Sequence, residues 1–292
     1  MMRKKFRNWQ RMTLPARCFH SLGIFLLHRQ WGQLCALFFK AIASLFSHSR
    51  SLKTDSRNII LQTFFTGVEV FPILFVVATL FGTIVIIEVI TMMGKMGFAD
   101  FVGSMIVVII IRELGPILTA FLIAGRSGSS LATYIGSMVI NSEVDALATM
   151  GVDPIRYLVM PGLIGGCIAM VIMNVFFSMS AIVVGFLVTK GAIILSGNML
   201  NIQLTWAYLS SEILNAISLS DFVFIIIKPL VFGAIITTNA CYQGLNIPRD
   251  VRQVPKATSR SVVKSFLYVV VADVFLSLYY FVEYMNNLST LI

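Results

Sequence analysis

The sequence predicts an all-α membrane protein with five transmembrane helices and an N-terminal interfacial amphipathic helix. Of its 292 residues 58% are hydrophobic and 12% charged, and the mean hydropathy is +0.89, a composition found in polytopic membrane proteins rather than soluble domains. Long uncharged stretches recur at lengths that suit a hydrocarbon core about 30 Å thick, which a helix of roughly 20 residues crosses. Between them lie short polar segments, with Lys and Arg concentrated in only some of them.

The formal charge is +9, yet 11 of the 22 Lys and Arg precede residue 58. Such a distribution suits a cytoplasmic membrane face resting on anionic lipid and argues against nucleic acid as a partner. Residues 1–57 therefore read as a basic arm and residues 58–292 as one membrane domain. Between Leu14 and Phe46, apolar Leu27, Trp31, Leu34, Phe38, Ile42 and Leu45 recur every three or four positions, opposite Arg29, Gln33, Lys40, Ser44 and Ser47. This predicts an amphipathic helix, either lying in the headgroup layer or packed on a partner. His28, Arg29 and Lys40 interrupt its apolar stretch and no small-x-small site follows, so a cleaved leader is not predicted. Ser47 to Arg57 reads as a polar connector.

The first span is Val70 to Ile87, 18 uncharged residues bracketed by Glu69 and Glu88. The second is Phe101 to Gly125, with Arg112 and Glu113 near its middle, and Arg126 to Arg156 is too polar to be a span. Tyr157 to Thr189 carries no charge over 33 residues; a helix of that length reaches about 50 Å, so the third span must tilt, kink or protrude. Its Gly162 and Gly166 form a GxxxG pattern that permits close helix approach. Lys190 to Ser220 reads as a mixed, partly helical segment on the far side. Phe222 to Tyr242 is the fourth span, interrupted by Lys228 and Pro229. A basic loop from Arg249 to Lys264 leads into the fifth span, Phe266 to Val282, which contains Asp273. The basic arm and basic loop predict a cytoplasmic N-terminus, and five crossings then place the C-terminus outside.

Ionisable groups at mid-bilayer are expensive unless they face a partner or a polar cavity. Arg112 and Glu113 are adjacent in a helix and point about 100° apart, so they cannot pair with each other. They either hold a polar headgroup or join a buried ion network with Lys228 or Asp273. Pro116, after Gly115, frees a backbone carbonyl and bends the helix. Lys228 suits an anionic headgroup or snorkels to an interface; Asp273 reads as a pairing or capping group. Cys18, Cys35, Cys167 and Cys241 are scattered, so neither a metal site nor a disulfide framework is predicted. Gly94-Lys95 lacks the upstream glycine of a P-loop, Gly125-Arg126-Ser127-Gly128 is not a nucleophile elbow, and HExxH is absent. No enzyme or cofactor site is predicted.

The segments Arg112-Glu113-Leu114-Gly115-Pro116, Ala124-Gly125-Arg126-Ser127-Gly128-Ser129, Ile135-Gly136-Ser137-Met138, Glu143-Val144-Asp145-Ala146-Leu147 and Met150-Gly151-Val152-Asp153-Pro154 resemble the MlaE family. Lys228-Pro229-Leu230-Val231-Phe232-Gly233 and Lys256-Ala257-Thr258-Ser259-Arg260-Ser261 extend the likeness over roughly residues 60 to 285. That family comprises permease subunits of ABC transporters that work with MCE proteins in lipid transport between membranes.

The resemblance implies a homodimer in a bacterial inner membrane, with cytoplasmic ABC ATPase subunits, a periplasmic MCE-domain protein and a phospholipid-type substrate. It implies that Arg112, Glu113 and Lys228 line or support the lipid cavity. Tyr134 to Gly151 becomes a cytoplasmic coupling helix, with Tyr134, Ile135, Gly136, Ser137, Met138, Glu143, Asp145, Leu147 and Met150 facing the ATPase. Gly115, Pro116, Asp153, Pro154 and Asp273 become structural or hinge positions. The coupling segment departs from the family pattern, lacking an acid at Tyr134 and a base at Val139, and Pro161-Gly162 replaces the usual Pro-Arg. A permease for a sterol or fatty acid, or a non-transporting anchor for an MCE complex, are the other expectations.

Overall fold

The computed structural model describes residues 52–98, 101–195, 206–217, 219–248 and 250–289, with residues 32, 34, 36–39 and 41 of the arm. No strand occurs among the described residues. The helices are α1 (Leu52–Val68), α2 (Phe71–Met96), α3 (Val102–Ile140), α4 (Glu143–Thr149), α5 (Ile155–Leu195), α6 (Trp206–Ala216), α7 (Leu219–Leu245) and α8 (Val254–Ser289). Five of them, α2, α3, α5, α7 and α8, are long and apolar enough to cross a membrane.

Helix α5 is the hub, packing along α2, α7, α1 and α3. Lipid tails are as apolar as Leu, so helices in a bilayer hold together by close fit and polar contacts rather than by hydrophobic drive. The α2–α5 crossing shows such a fit. A Cβ on Gly82 would fall on the Ala181 carbonyl, and one on Gly185 would stand 2.8 Å from the Gly82 carbonyl carbon. Of the predicted GxxxG pair, Gly166 meets the Thr237 side chain on α7, whereas a Cβ on Gly162 would find its nearest neighbour 3.6 Å away. With 41 residues, α5 is about 60 Å long and protrudes beyond the hydrocarbon.

Three expected connectors are helical. Residues Leu52 to Arg57 begin α1, and the basic segment enters α8 at Val254. Lys256, Arg260 and Lys264 stand four apart, which is helical spacing, so their charge reflected a solvated helix face rather than a loop. Helix α3 continues through Arg126 to Ile140 because its small residues let neighbours approach: Ser127 is buried and donates to the Thr66 carbonyl of α1 at 3.0 Å. The segment from Tyr134 to Gly151 is therefore two pieces, the end of α3 and the short α4, joined by a turn in which Ser142 adopts φ 61°.

Gly151, at φ 80°, ends α4 with the Val152 N–H donating to the Leu147 carbonyl at 3.0 Å, a glycine stop that satisfies a carbonyl left over at the helix end. Asp153 then caps α5: its Oδ1 accepts from the Ile155 N–H at 3.0 Å, and Pro154 sits where a helix needs no N–H. In the arm, Leu37 and Ala41 pack against Leu131, Ile135, Val159 and Cys241, and Leu34 is also buried. The buried stripe is thus Leu34, Leu37 and Ala41, with Phe39 exposed, one position round from the predicted apolar face. The remainder of the predicted interfacial helix, including Leu27, Trp31, Ile42 and Leu45, lies outside the described residues.

Candidate functional site

Backbone chemistry near two prolines organises the site. Pro116 has no N–H to offer the carbonyl four residues back, that of Arg112, and its ring crowds that oxygen. The chain enters Pro116 through a wider π-helical stretch, Val107–Leu114, in which the Gly115 N–H bonds the Ile110 carbonyl. The Lys228 Nζ of α7 donates to the freed Arg112 carbonyl at 2.9 Å. Pro229 does the same to the Ile225 carbonyl, and the Asn174 Nδ2 of α5 donates to that oxygen at 3.4 Å. Each proline gap is thus closed by a buried polar side chain from a neighbouring helix. Gly115 lets α5 come near enough, since a Cβ there would lie 3.1 Å from both Asn174 Oδ1 and Ser178 Oγ.

Replacing Asn174 with Leu should remove one of these closures and leave the Ile225 carbonyl unpaired in an apolar setting, costing about 1–3 kcal/mol. Thermal unfolding of the purified variant in detergent measures this; a midpoint equal to that of the parent chain would discount the closure.

Around Lys228 a five-member ion cluster joins α3, α7 and α8. Lys228 Nζ lies 3.0 Å from Glu113 Oε2 and 2.8 Å from Asp273 Oδ1, and donates to Ser277 Oγ at 3.1 Å. Ser277 Oγ in turn donates to Glu113 Oε1 at 3.1 Å. Arg112 turns the other way: its Nε is 2.7 Å from Asp221 Oδ1 and its Nη2 donates to Asp221 Oδ2 at 2.9 Å. Tyr280 completes that side, its hydroxyl donating to Asp221 Oδ1 at 3.2 Å and its ring lying 4.9 Å beneath the guanidinium carbon. The side chains of Asp221 and Lys228 are 0% and 4% exposed, whereas that of Glu113 is 42% exposed.

The structure thus brings Arg112, Glu113, Lys228 and Asp273 together, with Arg112 and Glu113 looking to different partners. Lys228 neither snorkels nor stands open; it is buried and saturated. Asp221, Ser277, Tyr280 and Asn174 were not singled out from the sequence. Their signal is periodic: Asp221 and Lys228 are seven apart on α7, and Asp273, Ser277 and Tyr280 stand four and three apart on α8. Each set is a polar stripe on one face of an apolar helix.

At the far end of α3 the nine expected coupling residues divide. Tyr134, Ser137, Glu143, Asp145 and Met150 are exposed, Leu147 is half-buried, and Ile135, Gly136 and Met138 are buried. Gly136 lies against the Ile247 side chain, and Met138 packs with Val144 and Leu158. Nearby, α1, α3 and α5 enclose a cavity of about 390 Å³ lined by Gln62, Thr66, Ser127, Tyr134 and Tyr157, among others. Its rim carries the Arg126–Glu69 ion pair at 3.5 Å. This cavity lies some fifteen residues or more along α3 from Arg112, so it and the ion cluster are separate places.

Five apolar crossings around a partly open ion cluster define a multi-pass membrane protein with a polar site inside its bundle. The family model described as Permease MlaE matches residues 59–279, and the chain belongs to that family. It is 29% identical over 253 residues to a probable ABC transporter permease of Rickettsia typhi, covering 87% of this chain and 89% of that one. It is 31% identical over 258 residues to a probable ABC transporter permease of Synechocystis, covering 88% and 92%. The chloroplastic protein trigalactosyldiacylglycerol 1 of Arabidopsis thaliana is 29% identical over 229 residues, covering 78% of this chain and 63% of that protein. The chain is therefore a permease of the ABC-transporter kind.

Proposed function

We propose that the chain moves phospholipid-type lipids between inner and outer membranes, as a homodimer in a bacterial inner membrane driven by separate ATPase subunits and joined to a periplasmic MCE protein. The observation that carries this reading is the half-exposed Glu113 carboxylate, the most open group of an ion cluster set among apolar helices. A polar foothold surrounded by apolar surface suits a molecule with a polar head and hydrocarbon tails. The name of the Arabidopsis relative contains a galactolipid, which supports a lipid over other hydrophobic substrates. In this reading the N-terminus and α4 are cytoplasmic, the C-terminus is periplasmic, and exposed Tyr134, Ser137, Glu143, Asp145 and Met150 meet the ATPase. Rigid continuity of α3 from that surface to Arg112 carries ATPase closure to the ion cluster.

Two variants test this in proteoliposomes containing the chain with its co-expressed ATPase and MCE partners. Glu113→Ala leaves Lys228 paired with Asp273, so the bundle should assemble while lipid flux falls about tenfold, the loss of one charge-assisted contact. Met150→Arg alters an exposed position and should weaken ATPase co-purification without unfolding the chain. Unchanged flux in both variants would overturn the assignment. The anchor reading draws on Tyr134 and Val139, where the family's acid and base are missing. Stable MCE binding with no ATPase and no flux in the parent chain would establish it instead.

A further inference from the structure

We infer that the site selects lipid headgroups that present an N–H-bearing ammonium, and discriminates against headgroups lacking such a donor. The inference rests on the lipid-transport reading and concerns the same ion cluster.

Each cation of the cluster already has a carboxylate partner. An ammonium has three N–H donors, and Lys228 faces four acceptors: the Arg112 carbonyl, Glu113, Asp273 and Ser277. Arg112 pairs with Asp221, its Nη2 donating to Oδ2, and lays its face on Tyr280. A headgroup phosphate could engage Lys228, 4% exposed, only by displacing one of its present acceptors. What the cluster presents outward is an acceptor. Glu113 is the most exposed of the charged groups, and an ionised carboxylate has about four lone-pair sites, of which Lys228 and Ser277 occupy part.

The charge count points the same way. Arg112 and Asp221 cancel, while the single charge of Lys228 is set against both Glu113 and Asp273. One negative charge is left over, on the side where Glu113 opens. A group that is both cationic and an N–H donor completes the cluster, as the ethanolamine ammonium does. A choline headgroup brings charge without a donor, and a glycerol headgroup brings hydroxyls on a lipid whose net charge is negative.

The test uses the full chain in mild detergent, exposed to an equimolar mixture of phosphatidylethanolamine, phosphatidylcholine and phosphatidylglycerol of identical acyl chains, with retained lipid read by native mass spectrometry. Ethanolamine lipid should be enriched about tenfold over choline lipid, the worth of one charge-assisted hydrogen bond, and glycerol lipid should be retained least. In Glu113→Gln the ethanolamine-to-choline ratio should fall to near one, whereas Gly162→Ala, remote from the cluster and with 3.6 Å of clearance, should preserve it. If Glu113→Gln does not fold, the parent chain still decides the matter: across the mono-, di- and trimethyl ethanolamine series, retention should drop most at the trimethyl step, where the last N–H disappears. Equal retention of the three lipids, or enrichment of choline or glycerol lipid, overturns the headgroup inference and leaves lipid transport standing. Absence of any retained lipid together with absence of lipid flux in the parent chain overturns the transport reading as well.

Discussion

Replacing Lys228 with Met should destabilise the chain by about 3–5 kcal/mol, the usual consequence of removing one partner from a buried ion pair. Four groups lose their partner at once: Glu113 and Asp273 lose a cation, and Ser277 and the carbonyl that Pro116 leaves unbonded lose a donor. The effect should therefore exceed that of any single carboxylate variant in the cluster. Thermal unfolding in detergent, followed by size-exclusion fluorescence, gives the midpoint. Adding Asp273→Asn and Glu113→Gln to Lys228→Met should recover much of the loss, because neutral amides cost far less to bury than unpaired carboxylates. A Met variant with the parent's midpoint, or a triple variant worse than the single, would show that Lys228 does not hold the three helices together.

The second large effect is expected at the α2–α5 crossing. Gly82→Ala places a methyl group on the Ala181 carbonyl, and Gly185→Ala places one 2.8 Å from the Gly82 carbonyl carbon. In each case the obstacle is backbone, which cannot rotate aside, so α2 and α5 must separate along the most extensive helix contact in the bundle. Overpacking commonly costs about 1–3 kcal/mol, and these two sites belong at or above the top of that range. Gly162→Ala is the control, since its methyl group would have 3.6 Å of clearance. Equal stability of the Gly82 and Gly162 variants would mean that the crossing tolerates separation. A fold held by contact rather than by hydrophobic drive should not tolerate it.

Hydrophobic length and charge made the number of spans legible, because both follow directly from the thickness and polarity of a bilayer. Helix ends were less so. The charge of Lys256, Arg260 and Lys264 suggests a loop, but their four-residue spacing marks a helix; the small-residue run after Ala124 suggests a break, but neighbouring helices sustain it. In the site, Arg112, Glu113, Lys228 and Asp273 stood out as charges in apolar surroundings. Which charge pairs with which did not, because Arg112 meets Asp221 across 109 positions of chain. Asn174, uncharged and near the middle of α5, gave no compositional signal; only the geometry of Pro229 explains why an amide is there. The exposed share of Glu113 likewise depends on three helices at once.

That 109-residue separation also sets a schedule for making the protein. Ribosomes add about 5–20 residues per second, so Arg112 and Glu113 are synthesised about 5 to 22 s before Asp221 exists. Over that interval α3 carries two ionised side chains with no counterion from its own chain, each opposing insertion by about 2.5–3.5 kcal/mol. Its many apolar residues must outweigh that opposition unaided until α7 arrives. Lys228 then reaches the membrane with Glu113 already waiting, and Asp273 follows last. Biogenesis thus ends with the closing of the ion cluster, and a nascent chain halted before α8 would leave Lys228 without one of its two carboxylates.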